Sequence, residues 1–264
     1  MQNYETVLIE YDGATAIVAM NRPEVMNAVN EQMLDELDQA FAALSADPAI
    51  RSIVLTGSGK SFGSGQDLRD FMTAYQSAEP IVISEHLAKY HTIIHAIRNA
   101  PKPVIAMIRG AAAGASCNLA LACDLRVAAE NARFIEAFAR IGLVPDAGGA
   151  YFLNRLVGVG KAMELALLAD EISGVEAEKI GLVNICVPED ALREKTMELA
   201  RRLAEGPTAA YTLIKKLIYS AENSSLADSL QLEGELQDLA FATKDHREGV
   251  AAFLQKRRAI FTGE

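Results

Sequence analysis

Residues 103–124, PVIAMIRGAAAGASCNLALACD, pass through three physical regimes within a short length of chain. Pro103 to Ile108 is an apolar, partly β-branched run of buried-strand length, and Gly110 to Gly114 is a linker of glycine and alanine only. Leu119 to Cys123 reads as a small apolar helix. A strand that enters a helix through residues with almost no side chain lets another molecule, or another backbone, come close to the main chain. The first turn of such a helix also offers unpaired N–H groups and the positive end of a dipole. An oxyanion or a phosphate is the expected guest.

On both sides of this stretch, strand, loop and helix alternate. Ile53 to Thr56 is a short buried strand that opens into GSGKSFGSGQD (57–67), a second strand-to-glycine junction. Further upstream, Thr6–Tyr11 and Thr15–Met20 read as a hairpin joined through Asp12-Gly13, a dipeptide suited to a type I′ turn. Met33, Leu34, Leu37, Phe41 and Leu44 recur with helical spacing, with Asn30 placed to cap and Asp47-Pro48 to terminate. Residues 80–100 form a further expected helix, with Ile83, Leu87, Tyr90, Ile94 and Ile97 on one face, broken by Pro101 and Pro103.

Downstream, Leu125–Ala129 and Phe134-Ile135 read as strands before GLVPDAGGAYFLNRLVG (142–158). From Gly160 onward the pattern is helical, over 161–169, 176–180, 189–205, 208–222, 225–242 and 246–258. The whole predicts an α/β protein with largely parallel pairing and a boundary at Gly206-Pro207. Residues 1–206 would form the core and 207–264 an all-helical tail.

The 264 residues carry a formal net charge of -10, which argues against a nucleic-acid partner. No apolar run approaches the length of a membrane span, and the polar, acidic start predicts no signal peptide. Cys117, Cys123 and Cys186 form no CxxC pair and lie in apolar surroundings, as expected of reduced core thiols in a cytoplasmic protein. His91 and His95 could share a helix face, but no acidic residue stands beside them, so no metal site is expected.

Two catalytic motifs come close and fail. Gly59-Lys60-Ser61 resembles the end of a phosphate-binding loop, yet Val54 stands where that loop needs glycine. Gly-Ala-Ser-Cys-Asn (114–118) is one residue from a serine-hydrolase nucleophile elbow, with Asn118 where glycine is required. A hydrolase would use Ser116 as nucleophile and His246 as base. Tight packing of helix against sheet is the plain explanation of both glycine loops. Two loops that each follow a buried strand also converge at one edge of a parallel sheet, where two backbone N–H donors could meet the charge of a thioester enolate.

The segments SFGSGQDL (61–68), RGAAAGASCNLALACD (109–124) and FARIGLVPDAGG (138–149) resemble the three signature segments of the crotonase, or enoyl-CoA hydratase/isomerase, superfamily. NRPEVMNAVN (21–30) and EGVAAFLQKRRAIFTGE (248–264) extend the similarity over nearly the whole chain. The LVPDAGG core, the segment from Tyr90 to Val104 and the tail are most similar to the ring-1,2-epoxyphenylacetyl-CoA isomerase subgroup of phenylacetate catabolism.

This resemblance implies a spiral of ββα units with a helical C-terminal domain that drives assembly into a homotrimer or hexamer. It implies an acyl-CoA thioester substrate, with coenzyme A as part of the substrate and no separate cofactor. The backbone N–H groups of Gln66 and Ala115 would form the oxyanion hole. Asn118 and Phe138 fall where a hydratase carries its two glutamates, and hydration needs both an acid and a base. Asp146 matches the acid/base of the isomerase subgroup, its alternative role being a helix cap, and burial beside Phe138 would raise its pKa. Glu136 is a second-choice base, with its side chain directed either into the pocket or to solvent. Arg22, Ser64, Asp67, Phe253 and Lys256 would contact coenzyme A, and Tyr90, Asn118 and Phe138 would line the acyl pocket. The expected reaction is isomerisation of an unsaturated or epoxidised acyl-CoA. Enoyl-CoA hydration, serine hydrolysis through Ser116 and non-catalytic acyl-CoA binding are the alternatives.

Overall fold

The computed structural model describes residues 4–72 and 82–264. The expected helix start at residues 80 and 81, and part of the expected acyl-pocket lining, lie outside the described residues. A six-stranded sheet runs in the order β1 (Val7–Asp12), β2 (Thr15–Met20), β3 (Ser52–Gly57), β4 (Val104–Ile108), β6 (Leu125–Ala129), β9 (Ile185–Val187). Within this sheet, among the described residues, β1 and β2 pair antiparallel and every other neighbour is parallel. A smaller sheet joins β5 (Ala111–Ala113), β7 (Arg133–Ile135) and β8 (Ile172–Ser173).

β3 and β4 are buried along their whole length because both faces of the parallel sheet are covered, so they read as continuous rather than alternating apolar runs. Helix α1 (Glu31–Ala46) packs against α2 (Ile83–Asn99), and Asn30 caps α1 by accepting the Met33 N–H at 3.0 Å. Helix α3 (Gly114–Ala122) touches strands of both sheets, and all nine of its residues are buried. That position explains its composition: a helix enclosed on every side is small and apolar all round. Helices α4 (Gly149–Leu168), α5 (Gly174–Lys179) and α6 (Leu192–Ala204) follow, α4 bending at Gly158, whose φ of 76° is not helical. Helix α6 lies over β3, β4 and β6.

Beyond Pro207 come α7 (Thr208–Ala221), α8 (Leu226–Phe241) and α9 (Lys244–Leu254). Helix α7 is anchored by polar contacts rather than by an apolar face. Lys215 pairs with Asp124 at 2.8 Å, Tyr219 donates to the same carboxylate, and Arg51 donates to Thr208 at 2.9 Å. In α8 only Leu236 is buried, while Leu226, Leu230, Leu239 and Phe241 are exposed.

Several local expectations are corrected. The hairpin register pairs Asp12 with Thr15, so Gly13 and Ala14 form its tip, and only Gly13 takes a positive φ. A type I′ turn needs positive φ at both central residues, so it does not form. The glycine-alanine linker contains strand β5, and α3 begins at Gly114 rather than near Leu119. β8 and β9 were hidden in the helical reading of the chain after Gly160; at two and three residues they are too short for periodicity to register.

Candidate active site

The two glycine junctions meet edge to edge. Gly63 donates to Ala111 O and accepts from Ala113 N, each at 2.9 Å, which lays the 61–67 loop along β5. On its other side, Val29 N donates to Gly65 O and Asp67 N to Val29 O, both at 2.8 Å. In this parallel bridge residues 65 and 67 hold Val29, so the N–H of Gln66 between them points away from it. Gly65 has φ +93°, and a Cβ there would lie 3.0 Å from Ala113 O and 3.7 Å from Ala115 N. Only glycine allows that approach. Ala115 is the second residue of α3, where N–H groups have no partner within the helix. Two N–H groups from separate segments thus lie on adjoining backbones, beside the Phe138 ring, whose tip is 3.8 Å from where a Gly114 Cβ would sit.

Asp146 closes this site from the third segment. Its backbone carbonyl accepts Asn118 Nδ2 at 2.9 Å and the N–H of Gly149 at 2.8 Å, so the start of α4 is pinned to α3. A Cβ on Gly149 would collide with the Asn118 amide. The Asp146 carboxyl is part-buried, its Oδ1 has no hydrogen-bond partner among the described residues, and burial raises its pKa to about 6. The cap role is not taken: Gly148 precedes α4 and no side chain caps it. Tyr90 is close enough to Asp146 for the carboxylate to add to the upward shift that burial imposes on the phenol.

Glu136 turns into the protein, 3% exposed, rather than towards solvent. Neither carboxylate oxygen completes a hydrogen bond among the described residues. Burial raises its pKa to about 7; Cys117 and Asn118 lie near enough to oppose the shift, and the charge of Asp146 adds to it. One signal in the sequence could have located it: Phe134 is buried on β7, and a residue two further along faces the same way.

Tyr90 is 1% exposed, and its hydroxyl donates to Gln66 Oε1 at 2.7 Å. His86 Nε2 reaches the same oxygen at 2.9 Å, so a pair from α2 holds the Gln66 side chain. Asp67 is gripped by Arg22 at 3.0 Å and Arg69 at 2.7 Å, and the Arg69 hydrogen bonds above all hold its carboxyl well below the usual range. Arg22 also donates to Ala28 O at 2.6 Å. The side chains of Arg22 and Asp67 thus tie the loop to the first helix entry. Ser64 donates its hydroxyl to Val25 O at 3.3 Å.

Gln66, Ala115, Asn118, Phe138, Asp146 and Tyr90 therefore come together, with Arg22, Ser64 and Asp67 on the adjoining loop. Phe253 does not join them: it is 82% exposed and lines a groove with Pro207, Val250 and Phe261. Lys256 follows in the same tail, at a φ of +53°. Ser116 and His246 are also apart. Ser116 Oγ is buried and accepts the Gly65 N–H at 3.1 Å, whereas His246 stacks near Phe241, ring centres 4.1 Å apart.

Comparison with known proteins matches residues 10–264 to the enoyl-CoA hydratase/isomerase family. A probable enoyl-CoA hydratase of Rhodobacter capsulatus is 42% identical over 261 residues, 99% of each chain. A 1,2-epoxyphenylacetyl-CoA isomerase of Escherichia coli is 38% identical, over 98% of this chain and 99% of its own. Among solved structures, an enoyl-CoA hydratase subunit from Geobacillus kaustophilus superposes with a TM-score of 0.92 at 36% identity, covering 100% of both chains. With fold, sequence and the three converging segments in agreement, the chain belongs to the crotonase, or enoyl-CoA hydratase/isomerase, superfamily.

Proposed function

We propose that this protein isomerises an acyl-CoA thioester, moving a double bond or rearranging an epoxide by way of an enolate. The observation that carries this reading is the setting of Asp146: a part-buried carboxyl, with one oxygen unpartnered among the described residues and a pKa raised to about 6, beside positions 118 and 138 that hold no acid. A carboxylate with a pKa near working pH is ionised at neutrality and still basic enough to take a proton. Asp146 removes a proton from the carbon skeleton next to the thioester carbonyl. The developing negative charge on the carbonyl oxygen is met by the Gln66 and Ala115 N–H groups, a stabilisation of several kcal/mol in a site shielded from water, on the order of 3 kcal/mol per donor. The same proton then returns to another carbon, so no water is consumed. Exposed apolar residues Ile141, Leu143 and Val144 precede Asp146 and suit an acyl chain.

Arg22, Ser64 and Asp67 shape the loop on which coenzyme A would lie, and Phe253 and Lys256 would reach the site of a neighbouring copy in a homotrimer or hexamer. The exposed apolar residues of α8, together with Val159, Met163 and Leu167 on α4, support self-association. Water addition is the second reading, favoured by the hydratase names of several relatives and by Glu136 as a second carboxylate. The test is Asp146→Asn assayed on a 3-enoyl-CoA and on crotonyl-CoA. Loss of migration with thioester binding retained supports the proposal; undiminished migration sinks it, and efficient hydration of crotonyl-CoA by the wild type would favour the second reading.

A further inference from the structure

Four buried acceptor atoms have no hydrogen-bond partner among the described residues: Asn118 Oδ1, both carboxylate oxygens of Glu136, and Asp146 Oδ1. Asn118 is bound to the Asp146 backbone, and Glu136 lies near both Asn118 and Asp146. Acceptors cannot satisfy one another, and a buried acceptor left bare costs stability. The Cys117 thiol can donate to Glu136, but no such donor reaches Asn118 Oδ1 or Asp146 Oδ1 among the described residues, and a proton on one of the acids would supply it. Glu136 is the better enclosed of the two acids, facing a small apolar cavity walled by Phe134, Leu153, Leu165, Ile172 and Leu182. Among the described residues, besides Asp146, the one titratable group against it is the Cys117 thiol of α3; α4, β8 and the turn at Leu182 present apolar side chains.

We propose that Glu136 is a positioning residue that carries a proton in the resting enzyme and donates it as a hydrogen bond to Asn118 Oδ1, completing a chain from Glu136 through the Asn118 amide to the Asp146 carbonyl. The amide then faces one donor and one acceptor, which fixes its orientation and with it the turn that aims the Asp146 carboxyl. Glu136 itself touches no substrate. Ionisation of Glu136 breaks the chain at its far end and places a second negative charge beside Asp146. Its raised pKa of about 7 puts that change within reach of ordinary conditions.

The consequence for turnover rests on the isomerase reading, but the protonation state does not, so the two are tested separately. Thermal unfolding of the wild type and of Glu136→Gln, followed from pH 5 to 8.5, reads the proton directly. The native wild type binds a proton that the unfolded chain has lost between the ordinary glutamate pKa and about 7, so its stability falls as pH rises through that window. The amide variant has no such proton, and its midpoint should gain on the wild type by about 3 °C or more across the range. Parallel curves overturn the proposal whatever the activity. In turnover on a 3-enoyl-CoA, Glu136→Leu should lose tenfold or more in kcat with KM within threefold, and Glu136→Gln, which keeps a donor, should recover to within about threefold of the wild type. Wild-type kcat in Glu136→Leu, or an equal loss in both variants, overturns it. If Glu136→Leu does not fold, the unfolding comparison with Glu136→Gln still decides.

Discussion

Asp67 and Asp146 each sit at the end of a glycine-bearing loop beside the same site, yet they do opposite work. Asp67 lies between two guanidinium groups, and its proton is gone under any ordinary condition. Asp146 is part-buried, with no cation pairing its carboxyl among the described residues, and is pushed up to about 6. Compensation by a cation makes a carboxylate a fastener; burial without compensation makes it a proton carrier. The difference lies in the neighbours, since the two side chains are identical.

The sharpest way to break this comparison is to neutralise Asp146. Asp146→Asn should lower kcat for double-bond migration by about 10²–10⁴-fold, and in the wild type kcat/KM should fall as pH drops below about 6, where the base becomes protonated. Steady-state assays across pH 5 to 8 measure both. The stability effect has the opposite sign, because a raised carboxyl pKa penalises the ionised native state: the variant's unfolding midpoint at pH 7.5 should not fall. Asp67→Ala should do the reverse, destabilising by about 3 kcal/mol through the part-buried Arg22 it leaves unpaired, as read by chemical denaturation. The depressed pKa of Asp67 means that its contribution is present above the ordinary aspartate pKa and lost only in strong acid.

Two smaller changes sharpen the contrast by loosening the supports. Asn118→Ala removes one of the two donors to the Asp146 carbonyl and should cost roughly tenfold in kcat, about 1.4 kcal/mol, with little change in KM. Ser116→Ala removes the acceptor of the Gly65 N–H and should cost about 1 kcal/mol of stability while turnover persists. Complete loss of activity with Ser116→Ala would instead revive the hydrolase alternative.

Much of the frame was legible because it is written in local patterns. The apolar runs at 53–56 and 104–108, the spacing from Met33 to Leu44 and the Asn30 cap all lie where the sequence places them. β5, β8 and β9 were not legible. Strands of two or three residues owe their existence to partners distant in the chain, as when β9 pairs with β6 some sixty positions earlier. Among site residues, Gln66, Ala115 and Asp146 could be named from motif resemblance, and the loops that carry them do converge. The attachments of Gln66 to Tyr90 and His86, and of Asp67 to Arg22, could not, for each joins segments that only the fold brings together.

The sequence alone determined the alternation of strands and helices, the two glycine junctions and the absence of an acid at positions 118 and 138, because side-chain size, periodicity and charge are properties of the chain itself. Only the tertiary structure decided which carboxylates can hold a proton. A pKa depends on what surrounds the group, and Glu136 lies among Cys117, Asn118 and Asp146 through the packing of β7 against α3 and the turn before α4.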